Sequence, residues 1–230
     1  MTAPLSTAAH QRLLGPAFDP LDAGLVLVGA PSAVGKTCVS LSLAAHYAAH
    51  LGELVLYISP ASPKEIVATR LAKNLTPDGA GVDPALAAGL PFVVMDPAEP
   101  TSAELLEAVT AFVEQHGQPG LVLVNDLQSL RCVKPLDGLA AAIEIMADLR
   151  GIAKICDAPL VLFSQLTPGK GVAKAVQEQA DRVIVLNLAS ETPDVKRVEV
   201  SYCEPPDPEA ERYELVLTRS TGVVALPAKV

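Results

Sequence analysis

Short, continuous apolar runs separated by helix-length stretches constrain this chain more than any other feature. Gly24 to Gly29 (GLVLVG), Leu54 to Ser59 (LVLYIS), Pro91 to Met95 (PFVVM), Leu121 to Val124 (LVLV) and Pro159 to Ser164 (PLVLFS) carry no charge. Runs of that kind suit strands buried on both faces of a parallel sheet. Between them lie Lys36 to His50, Pro63 to Lys73, Thr101 to His116 and Leu136 to Cys156, rich in Ala, Leu, Glu and Ile. Each is long enough to be a crossover helix. Thr101 with Glu104 has the spacing of a capping box, and Pro63 suits a first helical turn. The rhythm predicts an α/β fold, a mostly parallel sheet flanked by helices.

Towards the C-terminus the pattern changes. Asp181 to Leu188 is another apolar strand. Val198, Val200 and Tyr202 then alternate with polar neighbours, as do parts of Tyr213 to Thr218, which is the period of a half-buried strand. The turn-rich stretch Glu204 to Glu211 (EPPDPEAE) between them predicts a C-terminal antiparallel hairpin. No linker or repeat divides the chain, so the expected organisation is an N-terminal segment, 1–20, and one domain, 21–230.

Charge narrows the partners. The 230 residues carry 17 basic and 26 acidic side chains, a net charge of −9. The surface as a whole repels polyanions, so any polyanion must meet a local cluster of cations. The apolar stretch from Thr37 to Gly52 is interrupted by Ser40, Ser42, His46 and His50. It falls short of the roughly 20 apolar residues of a membrane helix. The N-terminus lacks a basic region followed by an apolar block, so no signal peptide and no membrane partner are expected. The four cysteines, Cys38, Cys132, Cys156 and Cys203, form no close pair. They read as reduced thiols of a cytoplasmic protein.

The sharpest motif is Gly29-Ala-Pro-Ser-Ala-Val-Gly-Lys-Thr37, which follows a buried strand and opens a helix. That context and the GKT ending match the phosphate-binding loop pattern. Gly29, Ala30, Pro31, Ser32, Ala33, Val34, Gly35, Lys36, Thr37 and Cys38 define the candidate nucleotide cradle, with backbone N–H groups from all but Pro31. In such a loop the helix N-terminus adds positive potential and Lys36 reaches phosphate oxygens. Thr37 offers its hydroxyl to Mg²⁺. Ala30 stands at the usual first glycine, a small departure. The cofactors expected are ATP and Mg²⁺.

Downstream, Leu121 to Leu130 reads LVLVNDLQSL, Leu160 to Leu166 reads LVLFSQL, and Val176 to Leu188 reads VQEQADRVIVLNL. With the phosphate loop, these segments resemble in order and spacing the RecA-type P-loop ATPases, most of all the C-terminal motor domain of DnaB-like replicative helicases. The resemblance extends from Gly29 to Leu226. It implies a RecA-like fold, ATP hydrolysis to ADP and phosphate, assembly into a ring or filament, and single-stranded DNA in a central channel. Gln165 matches the polar sensor of the γ-phosphate, and Arg219 the arginine finger that reaches a neighbouring subunit. An arginine there offers fixed charge and a fork of donors. The lysine usual two residues earlier is Leu217.

The same resemblance marks a degenerate catalytic centre. Ser59-Pro60-Ala61-Ser62 lacks the glutamate that activates water in the helicases. Asn125 stands where they carry the metal-associated aspartate, with a hydrogen-bonding amide but no charge. Asp126 is adjacent; strand alternation points it to the opposite face, and a bulge or one-residue shift would bring it in. Asn125, Asp126 and Thr37 are thus the candidate metal residues, and Asp126 a candidate catalytic carboxylate. The loops that line the family's DNA channel carry Arg131 and Lys134, then Lys170 and Lys174, without aromatics for base stacking. Two functions remain open on the sequence. One is an ATP/Mg-binding, self-assembling, helicase-like domain that acts on or near single-stranded DNA. The other is a non-hydrolysing or weakly hydrolysing ATP-binding regulatory or structural subunit, joined to copies of itself or to a related ATPase subunit, whose nucleotide stabilises the oligomer.

Overall fold

The computed structural model describes residues 14–18, 21, 24–76, 85–133, 136, 138–166, 174–203 and 211–226. Its centre is a nine-stranded sheet in the order β3-β2-β4-β5-β1-β6-β7-β8-β9. The strands are β1 Gly24–Ala30, β2 Val55–Ile58, β3 Phe92–Met95, β4 Leu121–Asn125, β5 Pro159–Gln165 and β6 Arg182–Glu191, followed by β7 Val195–Cys203, β8 Glu211–Thr218 and β9 Val224–Ala225. From β3 to β6 every neighbouring pair is parallel. β6 to β9 are antiparallel. The short strand β9 therefore forms the edge beyond the expected hairpin. The helices are α1 Lys36–Ala45, α2 Lys64–Leu75, α3 Ala85–Ala88, α4 Ser102–His116, α5 Gly138–Cys156 and α6 Lys174–Gln177.

The apolar runs are uninterrupted because the sheet is covered on both faces. In β1, Val26 and Val28 face a core shared with Val39 and Leu43 of α1 and Val67 and Leu71 of α2. Leu25 and Leu27 face the opposite core, with Leu105 and Val109 of α4 and Met146 and Leu149 of α5. Each fully buried side chain of this size contributes about 1.5–3 kcal/mol relative to an exposed one. Leu14, Ala17 and Phe18, from the segment before residue 21, are buried in the first of these cores.

Local expectations are met with small shifts. The Thr101 hydroxyl accepts from the Glu104 amide at 3.2 Å, while the Glu104 carboxylate accepts the Thr101 amide at 2.8 Å, a complete capping box. Pro63 caps α2 rather than opening it. The helix predicted from Lys36 to His50 changes to a π-helical turn over His46–Leu51 and ends at Gly52, whose φ is 70°. β6 runs on to Glu191, three residues beyond the apolar stretch, because β7 continues to pair with it across a bulge. Among the described residues, no helix is long and apolar enough to cross a membrane.

Candidate nucleotide-binding site

β1 lies inside the sheet between β5 and β6, so its carboxyl end opens at the edge where parallel α/β sheets bind ligands. The chain leaves β1 at Ala30, turns through Pro31 to Gly35 and enters α1 at Lys36. Two residues bend it: Ala33 at φ 63° and Gly35 at φ 126°. Gly35 is required sterically as well, since a Cβ there would stand 2.4 Å from Leu217 Cδ1 of β8. β8 thus packs this leucine on the loop. Gly29 is tight too, because a methyl group at its Cα would stand 2.9 Å from Leu166 Cδ1.

Lys36 folds over the loop, its Nζ donating to Ala30 O at 3.2 Å and Pro31 O at 3.5 Å. Burial lowers its pKa and the carboxylate of Asp126 opposes that shift. The charge of Asp126 is thus felt at the loop lysine. β4 ends at Asn125, so strand alternation no longer governs the next residue. The Asn125–Asp126 peptide is cis. Asp126 Oδ1 also accepts from Ser129 Oγ at 2.8 Å, in the 3₁₀ turn Leu127–Ser129.

Asn125 lies beside the loop helix. Its Nδ2 is 3.5 Å from Thr37 Oγ1 and donates to Tyr57 Oη at 3.0 Å. Tyr57, fully buried on β2, shares a 2.8 Å hydrogen bond with Ser40 Oγ. Burial raises the Tyr57 pKa, against hydrogen bonds from Ser40 and Asn125, so the group stays a neutral phenol. Sequence reasoning missed Ser40 and Tyr57. The signal available was one hydroxyl-bearing aromatic in an otherwise aliphatic strand. Thr37, Asn125, Tyr57 and Ser40 form a neutral set. Among the described residues, no group of three His, Cys, Asp or Glu could hold a metal ion. This donor set fits a magnesium ion brought in by phosphate oxygens, with Thr37 as its protein ligand, and not an ion held by the protein alone.

The two downstream motifs meet physically. Gln128 Nε2 donates to Ser164 Oγ at 3.1 Å and to Gln165 O at 3.2 Å, and its Oε1 accepts from Gln165 N at 3.0 Å. The LQ and SQL segments therefore clamp the ends of β4 and β5 together, while the Gln165 side chain is exposed.

Arg219 follows β8, its amide donating to Asp194 O at 2.9 Å and its guanidinium pairing with Glu191. It lines a cavity of about 210 Å³ with Thr37, Cys38, Arg70, Lys73, Asn74 and Thr221. Asn74 braces that wall, donating to Ser42 Oγ at 3.1 Å and Gly222 O at 3.0 Å. Within one chain, then, Arg219 stands beside the chain's own Thr37. Burial pushes the Cys38 thiol pKa up, opposed by Arg70, Lys196 and Lys73. The lowering that a helix N-terminus would give does not prevail.

Of the candidate DNA contacts, Arg131 is exposed, donates from Nε to Glu99 O at 2.7 Å and pairs with the Glu99 carboxylate at 3.8 Å. Lys134 and Lys170 lie outside the described residues, and Lys174 is described only as the first residue of α6. Ala61 is exposed in the turn between β2 and α2.

No protein-family model and no curated protein matches this chain. Solved structures do. An ATPase domain of known structure superposes at a TM-score of 0.73 and 19% identity, over 89% of this chain and 85% of its own. A DnaB-like replicative helicase, solved to show its interactions with primase, gives 0.71 and 18% over 88% of this chain. This chain spans 57% of that helicase. A KaiC-like protein from the hyperthermophilic archaeon Pyrococcus horikoshii OT3 gives 0.66 and 14%, over 90% of each. The fold is the RecA-like one that these three structures share. Within that class it resembles the DnaB-like and KaiC-like domains.

Proposed function

We propose that this chain binds ATP with Mg²⁺, assembles with copies of itself or with a related ATPase subunit, and acts on or near single-stranded DNA in the cytoplasm. The observation that carries the reading is the loop between β1 and α1. Lys36 lies over its carbonyls and Thr37 stands beside Asn125, at the carboxyl edge of the sheet. In this reading Lys36 neutralises phosphate oxygens and Thr37 holds the ion. When bound, the ion offsets phosphate charge. Asp126 holds Lys36 electrostatically, and Gln165, fixed through its backbone by Gln128, presents its amide to the nucleotide edge. Arg219 acts either on the nucleotide of its own chain, through the cavity it lines, or on a neighbour's in an oligomer.

A second reading has its own support. The neutral Asn125–Tyr57–Ser40 set and the absence of a carboxylate at Ala61 favour a weakly hydrolysing or non-hydrolysing subunit whose bound nucleotide stabilises an oligomer. ATP turnover by the purified protein, with and without single-stranded DNA, separates the two when Lys36→Ala serves as background. Turnover well above that control and raised by DNA supports a motor. Binding without turnover supports the structural subunit. Failure of ATP to stabilise the wild type against heat any more than it stabilises Lys36→Ala removes the nucleotide site altogether.

A further inference from the structure

A second lysine reaches the phosphate loop from the antiparallel part of the sheet. β6 and β7 turn back on each other between Glu191 and Val195, where the Thr192 amide donates to Val195 O at 2.8 Å. In the antiparallel registers Glu191 pairs with Lys196, and Lys196 with Leu217. Directly opposed residues of antiparallel strands project from the same face. Glu191, Lys196 and Leu217 therefore form one row across β6, β7 and β8, and Leu217 shows where that row points: it lies against Gly35 of the loop. Lys196 continues the row to the loop tip, its Nζ donating to Ala33 O at 2.5 Å. Its side chain is only 15% exposed.

Among the described ion pairs, Glu191 is shared here. Glu191 lies 3.8 Å from Lys196 Nζ and also pairs with Arg219, so one carboxylate serves two cations. An ammonium has three donors. One of Lys196's goes to the Ala33 carbonyl, and Glu191 stands beyond hydrogen-bonding distance for a second. The cavity wall adds Arg70 and Lys73. A multiply charged anion on the loop would complete this arrangement. The cavity beside Thr37 and Cys38 leaves room for the nucleoside end of such a ligand. With the nucleoside end in that cavity, phosphates that followed the loop backwards from Thr37 would lead towards Ala33.

We propose that Lys196 is a second phosphate-binding lysine of the nucleotide site, supplied in cis by the C-terminal hairpin, which holds the terminal phosphate of a nucleoside triphosphate while Glu191 serves as its alternative counter-ion. The assignment rests on the nucleotide reading above and adds to it a means of telling ATP from ADP. It also ties the hairpin that carries Arg219 to the state of the nucleotide, because Glu191 is shared by both cations.

Calorimetric titration of ATP and of ADP into the wild type, Lys196→Met, Lys196→Arg and Glu191→Gln tests it. Lys196→Met is expected to lose about tenfold in ATP affinity, the size of a hydrogen bond to a charged group, and less than about twofold for ADP. Lys196→Arg restores most of the preference, and Glu191→Gln raises ATP affinity over ADP by removing the competing carboxylate. If Lys196→Met fails to fold, the ATP-to-ADP ratio of Glu191→Gln decides, and an unchanged ratio overturns the assignment. Equal losses for the two nucleotides in Lys196→Met, or no loss, overturn it also. A wild type that binds neither nucleotide removes the nucleotide site itself and Lys196's role with it, whereas wild-type binding with an indifferent Lys196 removes only the latter.

Discussion

Tyr57 shows how a single buried hydroxyl organises the site. Its ring fills the core between α1 and the sheet, while its Oη joins Ser40 of α1 to Asn125 of β4. Asn125 is thereby held beside Thr37 by a neutral partner. Tyr57→Phe keeps the ring and deletes the hub. It leaves Ser40 Oγ and Asn125 Nδ2 short of a partner, at a cost of about 1–3 kcal/mol. Chemical denaturation would show the lower midpoint with an unchanged slope. A midpoint equal to wild type would mean that the hydroxyl contributes nothing. Gly35 belongs to the same scale. Its positive φ and the contact of Leu217 leave no room for any other residue, so the glycine of the motif answers to the hairpin as well as to a ligand.

At the scale of elements, the helices that flank the sheet are set by their ends. α4 begins in a reciprocal Thr101–Glu104 box, and the Glu104 carboxylate, which accepts from both the amide and the hydroxyl of Thr101, has its pKa lowered by those bonds. Thr101 also forms a bridge with Arg131, next to which the Ser102 amide donates to Arg131 O at 3.0 Å. The start of α4 and the loop after β4 are therefore one unit. Thr101→Ala removes the cap for about 1 kcal/mol, or roughly 2–4 °C in Tm for a chain of this size. Thermal unfolding followed by circular dichroism measures it; an unchanged Tm would show that the bridge alone holds the helix start. This box was legible in the sequence, because a cap depends on residues three apart. The π-helical end of α1 and the extension of β6 to Glu191 were not. A helix end depends on what packs around it, and a polar strand end forms only when a partner strand supplies its hydrogen bonds.

For the whole molecule, charge sets the terms of any contact with DNA. A net charge of −9 opposes it everywhere except where cations gather. If the segment bearing Lys170 and Lys174 holds single-stranded DNA, reversing both to glutamate weakens binding and flattens its dependence on salt. Fluorescence anisotropy across a salt series reads the slope, and an unaltered slope retires DNA contact through that segment. Arg131 is a poorer candidate for the same experiment, since its guanidinium is already committed to Glu99.

The order of buried strands and covering helices, the phosphate loop and the capping box of α4 are properties of near neighbours in the chain, and the sequence alone determined them. Hydrophobic period, a glycine before a helix and a pair three residues apart act over a few residues, so they survive without knowledge of the fold. What only the tertiary structure decided is which distant residues converge on the loop. Tyr57, Asn125 and Ser40 meet through packing of β2, β4 and α1. Lys196 and Leu217 meet Ala33 and Gly35 only because β7 and β8 are registered against each other and against β6. The alternation within each strand sets which face its residues take, whereas which residue stands opposite which depends also on the turns and on the partner segment, far away in sequence.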